Sequence, residues 1–248
     1  MINRYVRFVL VGLLAIIAFP LAAASQNGQL WMLDFVYLAN GKTLADRDAY
    51  NETARPIAAN HGAELQVTLD RMTGATGPLL GGPLLPERLD LWTMQTVHGL
   101  QSWGTDPAFQ AILPRALEVH DMQQLSVYLS QQFAMTEFAD GSVYLVDTLT
   151  FPSGDVDTQA VSAYLNAFRT QAKVHQIELV AAFGNVRQAS GGGPRFGWMS
   201  AFRVPSEQAW ISLINDPAIA DLEATRQQLV DTADSTRALY AARAVPSL

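Results

Sequence analysis

The sequence predicts an α+β protein of two similar halves, each running strand, helix, strand, strand, helix, strand, with the two sheets packed face to face. Three observations lead there. The stretch NHGAEL at Asn60–Leu65 returns as VHQIEL at Val174–Leu179, with His, Glu and Leu at the same spacing. The strand candidates carry apolar residues on both faces, whereas an antiparallel strand with one solvated face alternates apolar with polar residues. The chain has no cysteine, so disulfides and thiolate chemistry are excluded and stability must come from apolar burial.

The repeat orders the elements. Tyr50 matches Tyr164, Arg55 matches Arg169, Ala58 matches Ala172 and His61 matches His175 at one constant shift. A shorter shift matches Arg88 with Arg195 and Trp103 with Trp210, and intermediate ones match the two Asp-Pro-Ala runs at Asp106 and Asp216, then Tyr128 with Tyr240. Shifts change in loops, where insertions are tolerated. The first unit, 25–130, reads as a strand at Leu30–Leu38, a helix at Asp46–His61, strands at Leu65–Arg71 and Arg88–Thr96, a helix from Leu100 to about Val119, and a strand at Gln123–Ser130. Gly62 caps the first helix in the left-handed conformation. A linker, 131–141, leads to the second unit, 142–248. It reads as a strand at Val143–Phe151, a helix at Asp157–Gln176, strands at Leu179–Val186 and Arg195–Val204, a helix at Ser206–Val230, and a strand at Thr236–Ala242. The Gly- and Pro-rich runs GATGPLLGGPLLPER and SGGGPR read as connections between antiparallel strands.

This order is the ferredoxin-like unit, a four-stranded antiparallel sheet with both helices on one face. Trp31, Leu33 and Phe35 alternate with Met32, Val36 and Leu38, and Tyr144 and Val146 with Leu145 and Leu149. The helix-free face therefore also needs cover, and two tandem units provide it for one another as an internal pseudo-dimer.

The first two dozen residues read differently. Arg4 and Arg7 precede an apolar run at Phe8–Phe19, followed by Pro20 and three alanines ending at Ala24. That is the pattern of a secretory signal peptide, 1–24, and its apolar run is shorter than the roughly 20 residues of a bilayer span. The expected address is secreted or periplasmic. Without Arg4 and Arg7, 14 of the 16 basic residues face 23 acidic ones, a formal charge of −9. Nucleic acid and anionic membrane surfaces are poor partners for such a chain. The expected partner is a small, mostly apolar molecule held in the barrel interior or helix–sheet cleft of a monomer with an internal pseudo-dimer, which is free to associate further.

The run RPIAANHGAEL, followed after the loop by PERLDLWTMQTVHGLQSWGTDPAFQAILP, resembles the dimeric α+β barrel superfamily, particularly a branch of small uncharacterised proteins related to antibiotic-biosynthesis monooxygenases. Pro86, Glu87, Arg88, Trp103, Asp106, Pro107, Leu113 and Pro114 carry the likeness, which covers the first half well and the second thinly. The resemblance implies a barrel closed by two units, here from one chain. It leaves activity open among cofactor-independent monooxygenases, small-lactone isomerases and haem enzymes.

Asp34 and Asp147 are the candidate catalytic residues. Each sits mid-strand among apolar neighbours, and a buried carboxylate either finds cations and donors, as a structural ion pair, or takes a raised pKa suited to proton transfer. Both outcomes predict burial. If their face is the barrel interior, Arg88, Asp90 and Trp92 share it in the first half, and Arg195 and Met199 in the second. Arg88, Trp92, Arg195, His61 and His175 are thus the ligand-binding candidates. The two histidines end their helices, where the helix dipole stabilises a positive imidazole without any further role. His98 and His120 read as surface residues, and Trp103 with Trp210 as matched core anchors. No metal site is expected, since neither histidine has a partner at i, i+4, and no cofactor is predicted. Three functions remain: binding a small apolar molecule, cofactor-independent oxygenase or isomerase chemistry on a small ring compound, and haem chemistry at His61 or His175.

Overall fold

A computed structural model describes residues 29–75, 77–82, 85–152 and 158–245; the signal-peptide segment lies outside them. The first half contains β1 (Leu30–Val36), α1 (Leu44–Ala59), β2 (Ala63–Arg71), β3 (Arg88–Met94), α2 (Val97–Thr105), α3 (Pro107–Val119) and β4 (Ser126–Ser130). A short strand β5 (Gln132–Met135) leads to the second half. It contains β6 (Val143–Leu149), α4 (Thr158–Val174), β7 (Glu178–Gly184), β8 (Arg187–Gly191), β9 (Trp198–Val204), α5 (Glu207–Ile214), α6 (Pro217–Leu229) and β10 (Thr236–Arg243).

The strands form one antiparallel sheet in the order β5-β7-β9-β6-β10-β2-β3-β1-β4-β8. Its two ends are the same stretches of chain. β4 runs into β5 across Gln131, and β7 runs into β8 across Asn185 and Val186, so β4–β8 and β5–β7 are two parts of one seam. The second seam is β10–β2, with Tyr240 opposite Arg71 and Arg243 opposite Thr68. Two seams joining two four-stranded sheets close a barrel, which abolishes free edges. β5 lies inside the stretch read as a linker, 131–141, and β8 lies between the strand read at Leu179–Val186 and the SGGGPR connection, running into its first residues. Both pair only across the halves, so no local pattern announces them.

The barrel interior is shared. Trp31, Leu33, Phe35, Leu69, Leu89, Leu91 and Tyr128 from the first half meet Tyr144, Val146, Phe183, Phe196, Met199 and Ala201 from the second. Trp31 packs edge-on to Phe183 at 5.6 Å between ring centroids, and Phe196 sits 5.1 Å from Phe35 and 4.3 Å from Tyr128. Such contacts add to plain area burial. The outer faces pack beneath the helices as separate clusters: Met32, Leu65, Trp92, Leu100 and Trp103 in the first half, and Leu145, Leu149, Phe168, Phe202 and Trp210 in the second.

Each half breaks its predicted long second helix in two. Asp106 and Asp216 precede prolines, which push the preceding residue out of helical backbone; their ψ angles are 128° and 121°. Each Asp side chain then caps the next helix, accepting from Ala108 N at 2.7 Å and Ala218 N at 2.9 Å, with proline at the first helical position. Thr96 and Ser206 cap α2 and α5 in the same way. These caps place Leu100 opposite Trp210 and Trp103 opposite Leu213 in the repeat. The two tryptophans are therefore buried one turn apart in the repeat, not at matching positions. By strand pairing the counterpart of Arg88 is Trp198, since Arg88 faces Val36 and Trp198 faces Leu149, so the match of Arg88 with Arg195 also falls. Gly62 adopts φ 72°, as its capping role requires.

The β4–β8 seam depends on Gly191. Its φ is 101°, and a Cβ there would collide with Leu125 O and the Ser126 backbone. Gly41 has φ 80° but nothing near its would-be Cβ. Gly41→Ala should therefore cost only the left-handed strain of about 1–2 kcal/mol, whereas Gly191→Ala must also part the seam. Urea denaturation of both variants checks this: the Gly191 variant should unfold at clearly lower denaturant than the Gly41 variant.

Candidate functional site

Asp34 does not point into the barrel. It shares the face of Met32, which packs under the helices, and it lies directly across from Asp90 on β3. On that side α1 presents Arg47, Tyr50, Asn51, Ala54 and Ala58 along one buried stripe. A capping box between Thr43 and Asp46 fixes the start of α1 just before this stripe.

Arg47 uses all three guanidinium nitrogens. Nη2 donates to Asp34 Oδ2 at 2.6 Å and to Asp90 Oδ2 at 2.7 Å, Nε donates to Asp90 Oδ2 at 3.0 Å, and Nη1 lies 2.7 Å from His120 Nε2. Asp90 also accepts from Asn51 Nδ2 at 3.0 Å and from Thr68 Oγ1 at 2.9 Å. His120 contacts Ala116 O through Nδ1 at 2.8 Å. With Nδ1–H given to that carbonyl, Nε2 accepts from Arg47 and the ring is neutral. Burial first, and the neighbouring Arg47 charge second, push its pKa down to about 3. His120 is thus a buried member of the cluster, not the surface residue expected; its position just after α3 gave no sign of the partner on α1.

One guanidinium serves two buried carboxylates here. Burial raises the pKa of Asp90, but Arg47, Arg88 and the Asn51 amide outweigh it, so Asp90 stays below the ordinary range and holds the charge. Asp34 is left as the second acid. Burial dominates, Arg47 opposes and Asp90 adds repulsion, and its pKa rises to about 6. Its Oδ1 is buried and has no hydrogen-bond partner among the described residues; the same holds for Asn51 Oδ1 and for the indole nitrogens of Trp92 and Trp103.

The second half solves the same problem differently. Asp147 also faces the helices, with Ser200 across from it on β9. It receives Arg226 Nη2 on Oδ1 at 2.9 Å and Arg237 Nη2 on Oδ2 at 2.8 Å. Arg237 also reaches Glu223 at 2.7 Å and the Tyr164 hydroxyl at 3.0 Å. Two cations meet two carboxylates, and both oxygens of Asp147 are engaged. The cations come from α6 and β10, where the first half has Ala116 and Val127; conversely, the Arg47 position on α1 becomes Val161 on α4.

The remaining candidates are dispersed. Trp92 shares the face of Asp34 and packs on Trp103 at 5.6 Å. Arg88 is buried but does not reach Asp34; it donates to Asp70 Oδ1 and Asp48 Oδ1, each at 2.6 Å. Arg243 on β10 closes this second cluster across the β10–β2 seam, 3.0 Å from Asp48 and 3.2 Å from Asp70. Arg195 is exposed in the loop before β9, and Met199 lies in the barrel interior. The side-chain phase read for β9 was therefore shifted by one residue, because the strand begins at Trp198 and not at Arg195.

His61 and His175 form twin staples. His61 Nδ1 lies 2.8 Å from Ser102 Oγ and its Nε2 2.7 Å from Asp106 Oδ2; His175 matches this with Ser212 at 2.8 Å and Asp216 at 2.7 Å. The imidazole and the capped amide hold each aspartate below its ordinary pKa, with Gln171 also donating to Asp216. Each staple ties the end of α1 or α4 to the break between the next two helices. Because both ring nitrogens are engaged, neither histidine is free to bind a haem iron. The paired His and the repeated Asp-Pro-Ala run were the sequence signal for this contact. Among the described residues, no group of three His, Cys, Asp or Glu side chains is placed to hold a metal ion.

The raised pKa of Asp34 has a sign that stability measurements can read. The folded protein keeps a proton on Asp34 that the unfolded chain has already released between pH 3.8 and about 6. Asp34 therefore favours folding below this window, and that contribution is lost as pH rises through it, by on the order of 3 kcal/mol. In urea titrations, wild type minus Asp34→Asn should fall by about that amount from pH 4 to 7; a flat difference would contradict the assignment.

No family model and no curated protein matches the chain in sequence. Solved structures do match in shape. An anthrone oxidase-like protein aligns at 14% identity and TM-score 0.56, covering 91% of this chain and 99% of its own. A candidate monooxygenase from Fusobacterium nucleatum aligns at 8% identity and TM-score 0.53, covering 88% and 93%. Another from Lactobacillus acidophilus aligns at 10% identity and TM-score 0.50, covering 87% and 94%. At such identities the likeness establishes the fold, and with the two seams and the shared interior it gives this chain the dimeric α+β barrel architecture, closed within a single polypeptide.

Proposed function

We propose that this is an extracytoplasmic protein that binds a small, mostly apolar ring compound between sheet and helices of its first half, and that Asp34 removes a proton from it. The observation that carries the reading is the buried Asp34 Oδ1, which has no partner among the described residues, in a cluster where one guanidinium faces two acids. A general base works best with a pKa near the operating pH, and Asp34 at about 6 fits that requirement. Asp90 stays charged and fixes Arg47, which in turn orients Asp34 through its other oxygen. Met32 and Trp92 supply apolar surface on the face of the acid, Trp103 packs on Trp92, and the two indole N–H groups, without a hydrogen-bond partner among the described residues, can orient a polar substituent. Asp147, with both oxygens taken by arginines, reads as a structural ion pair.

The presence of an anthrone oxidase-like protein and candidate monooxygenases among structures of this shape suggests the form of the chemistry to test. Asp34 would take a proton from an activated ring methylene, and the resulting carbanion would pass electrons to dioxygen. The net change converts the methylene and one dioxygen into a ring carbonyl and one water.

Anthrone is the probe. Oxygen uptake and anthraquinone formation should rise with pH along a limb with a midpoint near 6. Asp34→Asn should lower kcat by roughly 10²–10⁴-fold with an unchanged circular dichroism spectrum. A folded Asp34→Asn variant that keeps the wild-type rate would overturn the proposal, as would wild-type protein that neither binds anthrone nor oxidises it.

A further inference from the structure

On the opposite half of the molecule, the flank of α4 forms a cavity of about 420 Å³ with the start of β7, the end of β9 and the chain just after β5. This is within the range of small-molecule sites. Ile177, Leu179 and Val180 line it, and Thr136 closes one side by donating its backbone N–H to Val180 O at 2.7 Å.

Its charges are unusual for so acidic a chain. Arg169, Lys173 and Arg203 meet there with Glu137 and Glu178, three cations against two carboxylates. Arg203 is already paired, its Nη2 donating to Glu178 at 2.8 Å. Arg169 and Lys173 are one helical turn apart, a like-charge spacing that destabilises a helix, and neither has an ion-pair or hydrogen-bond partner among the described residues. An anion placed between them would relieve that repulsion. The surplus of one positive charge suits a single negative charge better than a phosphate monoester, which carries closer to two.

We propose that this cavity binds a small amphipathic carboxylate, its charged end held by Arg169 and Lys173 and its apolar body over Leu179, next to the buried Ile177. The site is independent of Asp34 and stands whether or not the first half is catalytic. It also distinguishes the halves: Arg55 is the repeat counterpart of Arg169, but Ala59 takes the place of Lys173, so the pair of adjacent cations belongs to the second half.

Titration with 2-naphthoate, followed by methyl NMR on the full chain, tests this. The resonances of Ile177 and Leu179 should shift on binding, and the affinity should fall at high salt. The double variant R169Q/K173Q, altered only at exposed positions, should bind about tenfold more weakly or worse. Neutral 2-naphthalenemethanol should not distinguish variant from wild type. Absence of shifts at Ile177 and Leu179 at roughly 1 mM 2-naphthoate, or equal affinity in the double variant, would overturn the proposal.

Discussion

The barrel interior is the constraint on which the rest depends. The first half offers a helix-free face lined by Leu, Phe, Tyr and Trp, the second one lined by Tyr, Phe, Val, Met and Ala, and neither face could remain in water. At roughly 25 cal/mol per Å² of apolar surface, burial of rings such as Phe35, Phe183 and Phe196 rewards closing the two sheets on each other. The two seams then provide backbone partners that four-stranded sheets with free edges would lack. Because side chains from both halves pack this interior, the polar chemistry of the described residues is displaced outward, to the layer between sheet and helices.

In that layer the two halves diverge. Both bury an aspartate in the middle of their first strand, and both must compensate it, because removing one partner of a buried ion pair is costly. The second half does so from its last helix and last strand, with charges in balance. The first half uses its first helix and leaves one acid in excess. A purely structural role would be served by the balanced arrangement, so the excess acid in the first half is where function is best sought. The Arg88–Asp48–Asp70–Arg243 cluster is a third device, one that ties charge across the β10–β2 seam.

Much of this was legible in the sequence, for identifiable reasons. Period-two apolar patterns mark strands wherever both faces are buried, and the matched His61 and His175 revealed the repeat because their staples to Ser and Asp recur intact. What stayed hidden depends on long-range pairing. β5 and β8 acquire strand geometry only from partners more than forty residues away. The phase of β9 is hidden because Arg195 resembles Arg88 in its local sequence, whereas strand pairing gives that place to Trp198. Arg47 and Asn51 lay on the same helical stripe as Tyr50, Ala54 and Ala58; a charged residue on an otherwise buried stripe was the available sign of a partner for Asp34. For Asp147 no comparable sign existed, since Arg226 and Arg237 have no counterparts in the first half.

Burial, with the single Arg47 shared between Asp34 and Asp90, raises the Asp34 pKa to about 6. Following the Asp34 side-chain carboxyl carbon by NMR across pH tests this most directly. A midpoint near 6 is expected. A midpoint at or below the ordinary aspartate value of about 3.9 would contradict it.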